Sequence, residues 1–248
     1  LSGQLPSHTG IFTNVGALDQ QQATLLHSLG ASGYETVLCG RMHFKGPDQR
    51  HGFTRRIMSD VTAPYDGAEV GLHGEVGPFE STFGMGGCVD LMGGGNSPVL
   101  EYDRAVIEAA LEYLQQDHEK PQCIVVGTYG PHFSYIAPPD LYRHYRDRVE
   151  LPVSWEQESN YEHPVFKGKR QTTRNSAVSG EEEEVGDEVA LAARAAYYGM
   201  ITQIDRQVGA VREAWGNYLE RNGREGVFVY FSDHGDTTGE HGIFGKQT

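Results

Sequence analysis

Asp233 and His234 are adjacent in the chain, directly after the apolar run "GVFVYFS", and a glycine-rich stretch then leads to Lys246. Where a backbone leaves a strand, two successive side chains can both turn onto one cation. A carboxylate with an imidazole can hold Ca²⁺, Mn²⁺ or Mg²⁺, but two ligands make only part of a shell. The competing reading is that Asp233 caps a turn and His234 packs beside it. Lys246 follows Gly245. Near a cation it would give a tetrahedral anion a second positive partner, whereas a lone lysine is ordinarily a solvated surface group.

Histidine is the side chain best matched to moving protons near neutral pH. His43 lies in "RMHFKGPDQRHGF" and His132 in "GPHFSY", each just after a β-branched apolar run. Arg41 and His51 belong to the first of these segments, and His51 is a candidate to line the same pocket. Arg55 and Arg56 could meet a second anionic group on a substrate, though exposed arginines are more often plain surface.

Such side chains act together only if the fold gathers them. "YETVLCG", "QCIVVGTY" and "GVFVYFSD" predict buried strands. Residues 20–31 predict a helix with Leu25, Leu26 and Leu29 on one face, and residues 101–117 another with Tyr102, Val106, Ala109 and Tyr113 aligned. Between Val189 and Leu219 apolar residues recur in steps of three or four, predicting one long amphipathic helix. Helices alternating with strands predict a three-layer α/β/α sandwich with a mainly parallel central sheet. In such sheets ligands bind beyond the carboxyl ends of the strands. The clusters at 41–51, 132 and 233–246 each follow a predicted strand, so they are expected to converge on one edge.

Residues 52–98 and 150–186 show no stable period and are expected to be irregular loops, as is "GPHFSYIAPPDLY". The glycines of "MGGCVDLMGGGN" lack the GxxxxGK[ST] order of a phosphate loop. A formal charge of −14 on 248 residues argues against nucleic-acid binding. It leaves small anionic substrates open, because a site can be locally basic. Cys39, Cys88 and Cys123 form no CxxC pair, and Cys39 and Cys123 sit in apolar runs, which predicts reduced thiols rather than a disulfide framework. No window is long and apolar enough to cross a membrane.

"SDHGDTTGEHGIFGK" resembles the sulfatase-family segment in which a strand ends in Ser-Asp-His/Asn-Gly and a Gly-Glu-His-Gly run leads to a lysine. "TLLHSLGASGYETVLCGRMHFKG" is similar to the family's helix–strand–loop ending in Gly-Lys-x-His, and "GTYGPHFSY" to its strand followed by Pro-His. "SGQLPSHTGIFTN" resembles the segment just after the family's Cys-x-Pro-Ser-Arg nucleophile motif. The motifs stand in the family's order along the whole chain. "GRMHFKGPDQRHGF" looks most like choline-sulfatase-like and phosphonate-hydrolase-like members.

The resemblance implies an alkaline-phosphatase-like fold, incomplete at both ends, with residues 1–248 forming the central part of one catalytic domain. It implies hydrolysis of a small-molecule or carbohydrate sulfate ester. Asp233 and His234 would hold a divalent metal, calcium first and manganese or magnesium as alternatives. His43 would take a proton from a formylglycine so that covalent sulfate is expelled. His132 and Lys246 would contact the ester and assist the leaving oxygen. Arg41 stands where the family usually has lysine, replacing a compact ammonium by a planar fork. The nucleophile motif is not in this sequence, so formylglycine is expected upstream and the 248 residues by themselves are expected to lack activity. The alternatives are a phosphonate or phosphate ester hydrolase on the same fold and a non-catalytic anion-binding relative.

Overall fold

The computed structural model describes residues 1–13, 16–61, 92–155 and 185–246. Its elements are α1 (Pro6–Thr9), α2 (Leu25–Ala31), β1 (Glu35–Gly40), β2 (Arg55–Met58), β3 (Met92–Gly94) and α3 (Pro98–Gln115). There follow β4 (Gln122–Gly127), β5 (Tyr135–Ala137), α4 (Pro139–Arg146), α5 (Asp187–Arg221), β6 (Thr237–Thr238), a 3₁₀ turn (Glu240–Gly242) and β7 (Phe244–Gly245). They belong to two compact units, the first comprising Leu1–Ser81, Glu101–Tyr129 and Val211–Gly226, the second Thr82–Leu100, Gly130–Ala210 and Val227–Thr248.

The first unit is built on a parallel sheet of order β2-β1-β4. β4 alternates its side chains between two helical layers, which makes this unit the expected sandwich. Ile124 and Val126 pack with Ile107 and Leu114 of α3 and with Val211 and Tyr218 of α5. Cys123 and Val125 pack on the other cluster, with Leu26 and Leu29 of α2, Leu38 of β1 and Phe53. A strand covered on both faces favours apolar residues at nearly every position, which is why "VLC" and "CIVV" read as continuous runs rather than alternating ones. Burying a Val37 or Leu38 side chain completely contributes about 2 kcal/mol. Cys39 is part of this core: its thiol donates to the Val106 carbonyl at 3.2 Å, and burial pushes its pKa up to about 12. Cys39 and Cys123 are both free thiols, and Cys88 lies outside the described residues.

α5 follows the period read from the sequence, with Ala193, Tyr197, Met200, Ile204 and Val211 buried along one stripe. It stops at Asn222-Gly223, where Gly223 adopts a φ of +58° and the Arg224 N–H donates to the Leu219 carbonyl at 2.9 Å. α2 begins later than its period suggests, at Leu25. The Thr24 N–H donates to His27 Nδ1 at 3.1 Å, closing the first turn there and leaving Leu25 exposed.

In the second unit β3 pairs parallel with β5 and β6 pairs antiparallel with β7. Tyr135 and Ala137 are fully buried. Gly199 of α5 lets that helix approach β5, because a Cβ there would meet the Ala137 Cβ at 2.7 Å.

Several stretches differ from their sequence reading. Arg55–Met58 and Met92–Gly94 are strands although no period marks them, and "GPHFSYIAPPDLY" supplies both β5 and α4. Short strands of three or four residues are too brief to show a period; an available neighbouring edge decides them. The opposite error concerns "GVFVYFSD". Among the described residues Val227–Phe231 pairs with no strand, and Val227, Val229 and Phe231 are 81, 70 and 77% exposed. A β-rich run becomes a strand only where a ladder partner meets its N–H and C=O groups. The irregular loops expected at 52–98 and 150–186 fall mostly on residues outside those described.

Candidate active site

Arg41, His43 and His51 belong to the first unit, and His132, Asp233, His234 and Lys246 to the second. In the first, the chain leaves β1 at a pair of glycines. Gly40 has φ +91° and lies in register with Gly127 of β4. A Cβ on Gly40 would stand 2.3 Å from the Gly127 carbonyl oxygen, and one on Gly127 would stand 1.9 Å from that of Arg41. With no side chain at either place, the Arg41 N–H donates to the Gly127 carbonyl at 2.9 Å. The Arg41 guanidinium lies over the Tyr129 ring, 4.3 Å from its centroid.

Arg41 Nη2 is 3.5 Å from His43 Nδ1. A guanidinium can only donate, so in this contact Nδ1 accepts and the neutral imidazole carries its proton on Nε2. His43 has φ +55°, in the left-handed region that costs a non-glycine residue energy. Asp60 holds that turn: its Oδ2 accepts the backbone N–H of Met42 at 3.0 Å and of His43 at 2.8 Å. Arg56 lies 3.9 Å from the same oxygen and donates to the carbonyls of Gly40, Gln49 and Met58. Arg56 is therefore committed to the strand exit, not to open surface, while Arg55 is exposed over the Tyr113 ring. Neither Asp60 nor the role of Arg56 was marked by any sequence signal, since a carboxylate serving a distant loop has no fixed offset.

His51, expected to line a pocket, lies buried within the first unit. Its ring is 1% exposed, packed edge-on against Phe44 with centroids 4.7 Å apart, and among the described residues neither ring nitrogen has a hydrogen-bond partner. Burial lowers its pKa, the charge of Asp48 at 3.5 Å opposes this, and His27 adds to the lowering. The ring is buried packing rather than an open contact surface.

In the second unit His132 Nδ1 lies 3.0 Å from the Phe133 carbonyl. A carbonyl only accepts, so Nδ1 carries a proton and, in the neutral ring, Nε2 bears the lone pair. His234 repeats this pattern, with Nδ1 3.1 Å from the Gly235 carbonyl and Nε2 3.5 Å from Asp233 Oδ2. Both side chains of this corner are exposed. Asp236 is drawn inward: it accepts from the Tyr135 hydroxyl at 2.9 Å, and its backbone N–H donates to Tyr197 Oη at 3.1 Å. Burial raises its pKa, while the Tyr135 hydrogen bond, His234 and Lys246 oppose the rise. β6 and β7 pair Thr237 with Gly245, so Asp236 and Lys246 stand at the same end of that ladder.

A buried arginine holds the other end of the loop. Arg194 of α5 donates to the Thr238 carbonyl at 3.0 Å, to Thr238 Oγ1 at 3.1 Å and to Glu240 at 2.6 Å. Burial acts to raise the Glu240 pKa, but the Arg194 bond and the Thr238 N–H outweigh it and the net shift is downward.

A protein-family model described as Sulfatase matches residues 1–248. The chain belongs to the sulfatase family. It is 27% identical over 263 residues to the choline-sulfatase of Rhizobium meliloti (strain 1021), covering 99% of this chain and 48% of that protein. It is 31% identical over 146 residues to the arylsulfatase of Clostridium perfringens (strain 13 / Type A), covering 57% of this chain and 28% of that protein. The chain thus spans less than half the length of either relative. The phosphonate monoester hydrolase structure of Agrobacterium radiobacter superposes with a TM-score of 0.61 at 18% identity, over 87% of this chain and 48% of that one, and so shares the fold.

Whether this sulfatase-family chain suits the implied metal is a question of donors. Among the described residues no group of three or more His, Cys, Asp or Glu is arranged to hold a metal ion. Asp233 and His234 nevertheless fit part of a shell: an exposed carboxylate stands beside an imidazole whose tautomer leaves Nε2, the nitrogen nearer that carboxylate, with its lone pair. Among the described residues no helix is long and apolar enough to cross a membrane.

Proposed function

We propose that the whole protein hydrolyses a sulfate monoester of a small molecule or carbohydrate, with this chain supplying cations, proton-transfer groups and part of a metal shell. The observation that carries the reading is the Asp233–His234 corner, whose carboxylate and Nε2 stand 3.5 Å apart with Lys246 in the same loop. A divalent metal held by Asp233 and His234, calcium on the family resemblance, would neutralise charge on the ester oxygens.

The remaining steps fall to side chains. Lys246 holds a non-bridging oxygen of the anion as a point charge. His132, with its lone pair on Nε2, takes up a proton there and delivers it to the departing oxygen. His43 serves proton transfer at the nucleophile, with Arg41 fixing its ring through the 3.5 Å contact at Nδ1. The nucleophile is proposed to be a formylglycine outside these 248 residues. Splitting the reaction into capture and release lets each step proceed over a lower barrier.

A phosphonate or phosphate ester places the same demand for positive charge at its reacting centre. Rates of the whole protein on matched aryl sulfate, aryl phosphonate and aryl phosphate esters decide. A preference for sulfate is expected; a preference for a phosphorus ester would move the assignment, and no turnover of any would favour an anion-binding role.

A further inference from the structure

Tyr135 lies three residues after His132, and Asp236 three residues after Asp233. Their side chains meet inside one unit, the Tyr135 hydroxyl donating to Asp236 Oδ2 at 2.9 Å. Tyr197 completes the arrangement. Its ring packs edge-on against Tyr135, centroids 5.5 Å apart and planes at 83°, and its oxygen accepts the Asp236 N–H at 3.1 Å. Tyr135 is 0% exposed and sits on β5, paired with β3, so one partner is rigid. Asp236 precedes β6, which the β7 pairing fixes, so the other partner ends a short tethered loop that starts at the exposed Asp233.

We propose that Tyr135 and Asp236 are positioning residues that lock the His132 loop and the Asp233–His234 corner into one arrangement. The inference rests on the sulfatase reading for its kinetic consequence, but its geometric content does not. Burying a carboxylate is costly, and a merely structural contact between the two segments would be served as well by an apolar pair. A phenol–carboxylate bond is directional and fixes distance, which packing alone does not. Neither group reaches a substrate in this account; both act through His132, Asp233 and His234.

The test uses the whole protein with Tyr135→Phe, which keeps the buried ring and removes only the hydroxyl, and Asp236→Asn, which keeps an acceptor. Three readouts are taken: kcat and KM on an aryl sulfate, Ca²⁺ affinity by competition with a chelator, and amide hydrogen exchange over Ser232–Phe244. Tyr135→Phe is expected to lower kcat about tenfold or more with KM nearly unchanged, and to weaken Ca²⁺ binding by a similar factor. Exchange over Ser232–Phe244 is expected to speed up, and Asp236→Asn to fall between it and the unaltered protein. Unaltered kcat, Ca²⁺ affinity and exchange in Tyr135→Phe would overturn the proposal. If the unaltered protein neither turns over sulfate esters nor binds Ca²⁺, the sulfatase reading fails, and exchange alone still decides whether the pair locks the corner. Should Tyr135→Phe not fold, Asp236→Asn is decisive: unchanged exchange and kinetics in that variant would overturn the lock.

Discussion

Asp60 Oδ2 lies 2.8 Å from the backbone nitrogen of His43, a residue held at φ +55°. A carboxylate that accepts two consecutive N–H groups sets the direction in which the His43 ring leaves the chain. Asp60→Ala is expected to lower kcat on an aryl sulfate about 100-fold, through misplacement of His43 and Arg41, with a much smaller change in KM. Asp60→Asn keeps an acceptor oxygen and is expected to lose far less. Steady-state kinetics of the whole protein with both variants check this; equal losses would show that charge, not loop geometry, is what Asp60 supplies.

The glycine pair at the strand exits makes a separate prediction. Gly127→Ala would press a methyl group to within 1.9 Å of the Arg41 carbonyl, a backbone atom that cannot step aside as a side chain can. A loss of about 3 kcal/mol is expected, measured by denaturant unfolding. Gly223→Ala, at φ +58° with nothing within 4 Å of the new atom, is expected to cost about 1 kcal/mol from backbone strain alone.

Arg194 anchors the loop between Asp236 and Lys246. Arg194→Ala strips donors from Thr238 and Glu240 together and is expected to cost about 2–4 kcal/mol. Glu240→Gln, which leaves Arg194 bonded to the Thr238 oxygens, is expected to cost about 1 kcal/mol. Thermal unfolding of the two variants ranks them.

His51 gives the fold a pH dependence with a definite sign. Burial depresses its folded-state pKa, so below the ordinary value of about 6.5 the unfolded chain binds a proton that the folded chain refuses. Its contribution to stability is therefore present above that pH and is lost progressively as pH falls toward the depressed value. His51→Phe keeps a ring against Phe44, removes the titrating imidazole, and is expected to flatten the slope between pH 7 and 5. Urea unfolding across that range measures it; an unchanged slope would place the titration elsewhere.

The parts of the molecule legible in sequence are those whose side chains repeat one environment. β1 and β4 read as apolar runs because helices cover both faces, and α5 reads as a helix because its buried stripe recurs over many turns. Val227–Phe231 reads as a strand for the same reason, yet strand formation also needs a partner edge, which composition does not encode. β2 was hidden because Arg55 and Arg56 point to solvent and to the Gly40 carbonyl rather than into the core. Residue types whose chemistry is distinctive are legible as candidates, and Asp233, His234, His43 and His132 are all of that kind. Asp60, Arg194, Tyr135 and Asp236 are not, because each acts across 17 to 101 positions of sequence, at no fixed offset. His51, conspicuous as a histidine, is buried against Phe44.

Asp233 and His234 are proposed to hold a divalent metal for sulfate ester hydrolysis. Metal content and aryl sulfate turnover, measured together on the purified whole protein and on its Asp233→Ala variant, decide it. Bound divalent metal and turnover are expected in the unaltered protein, and loss of both in the variant. Unchanged turnover with unchanged metal content in Asp233→Ala would contradict it.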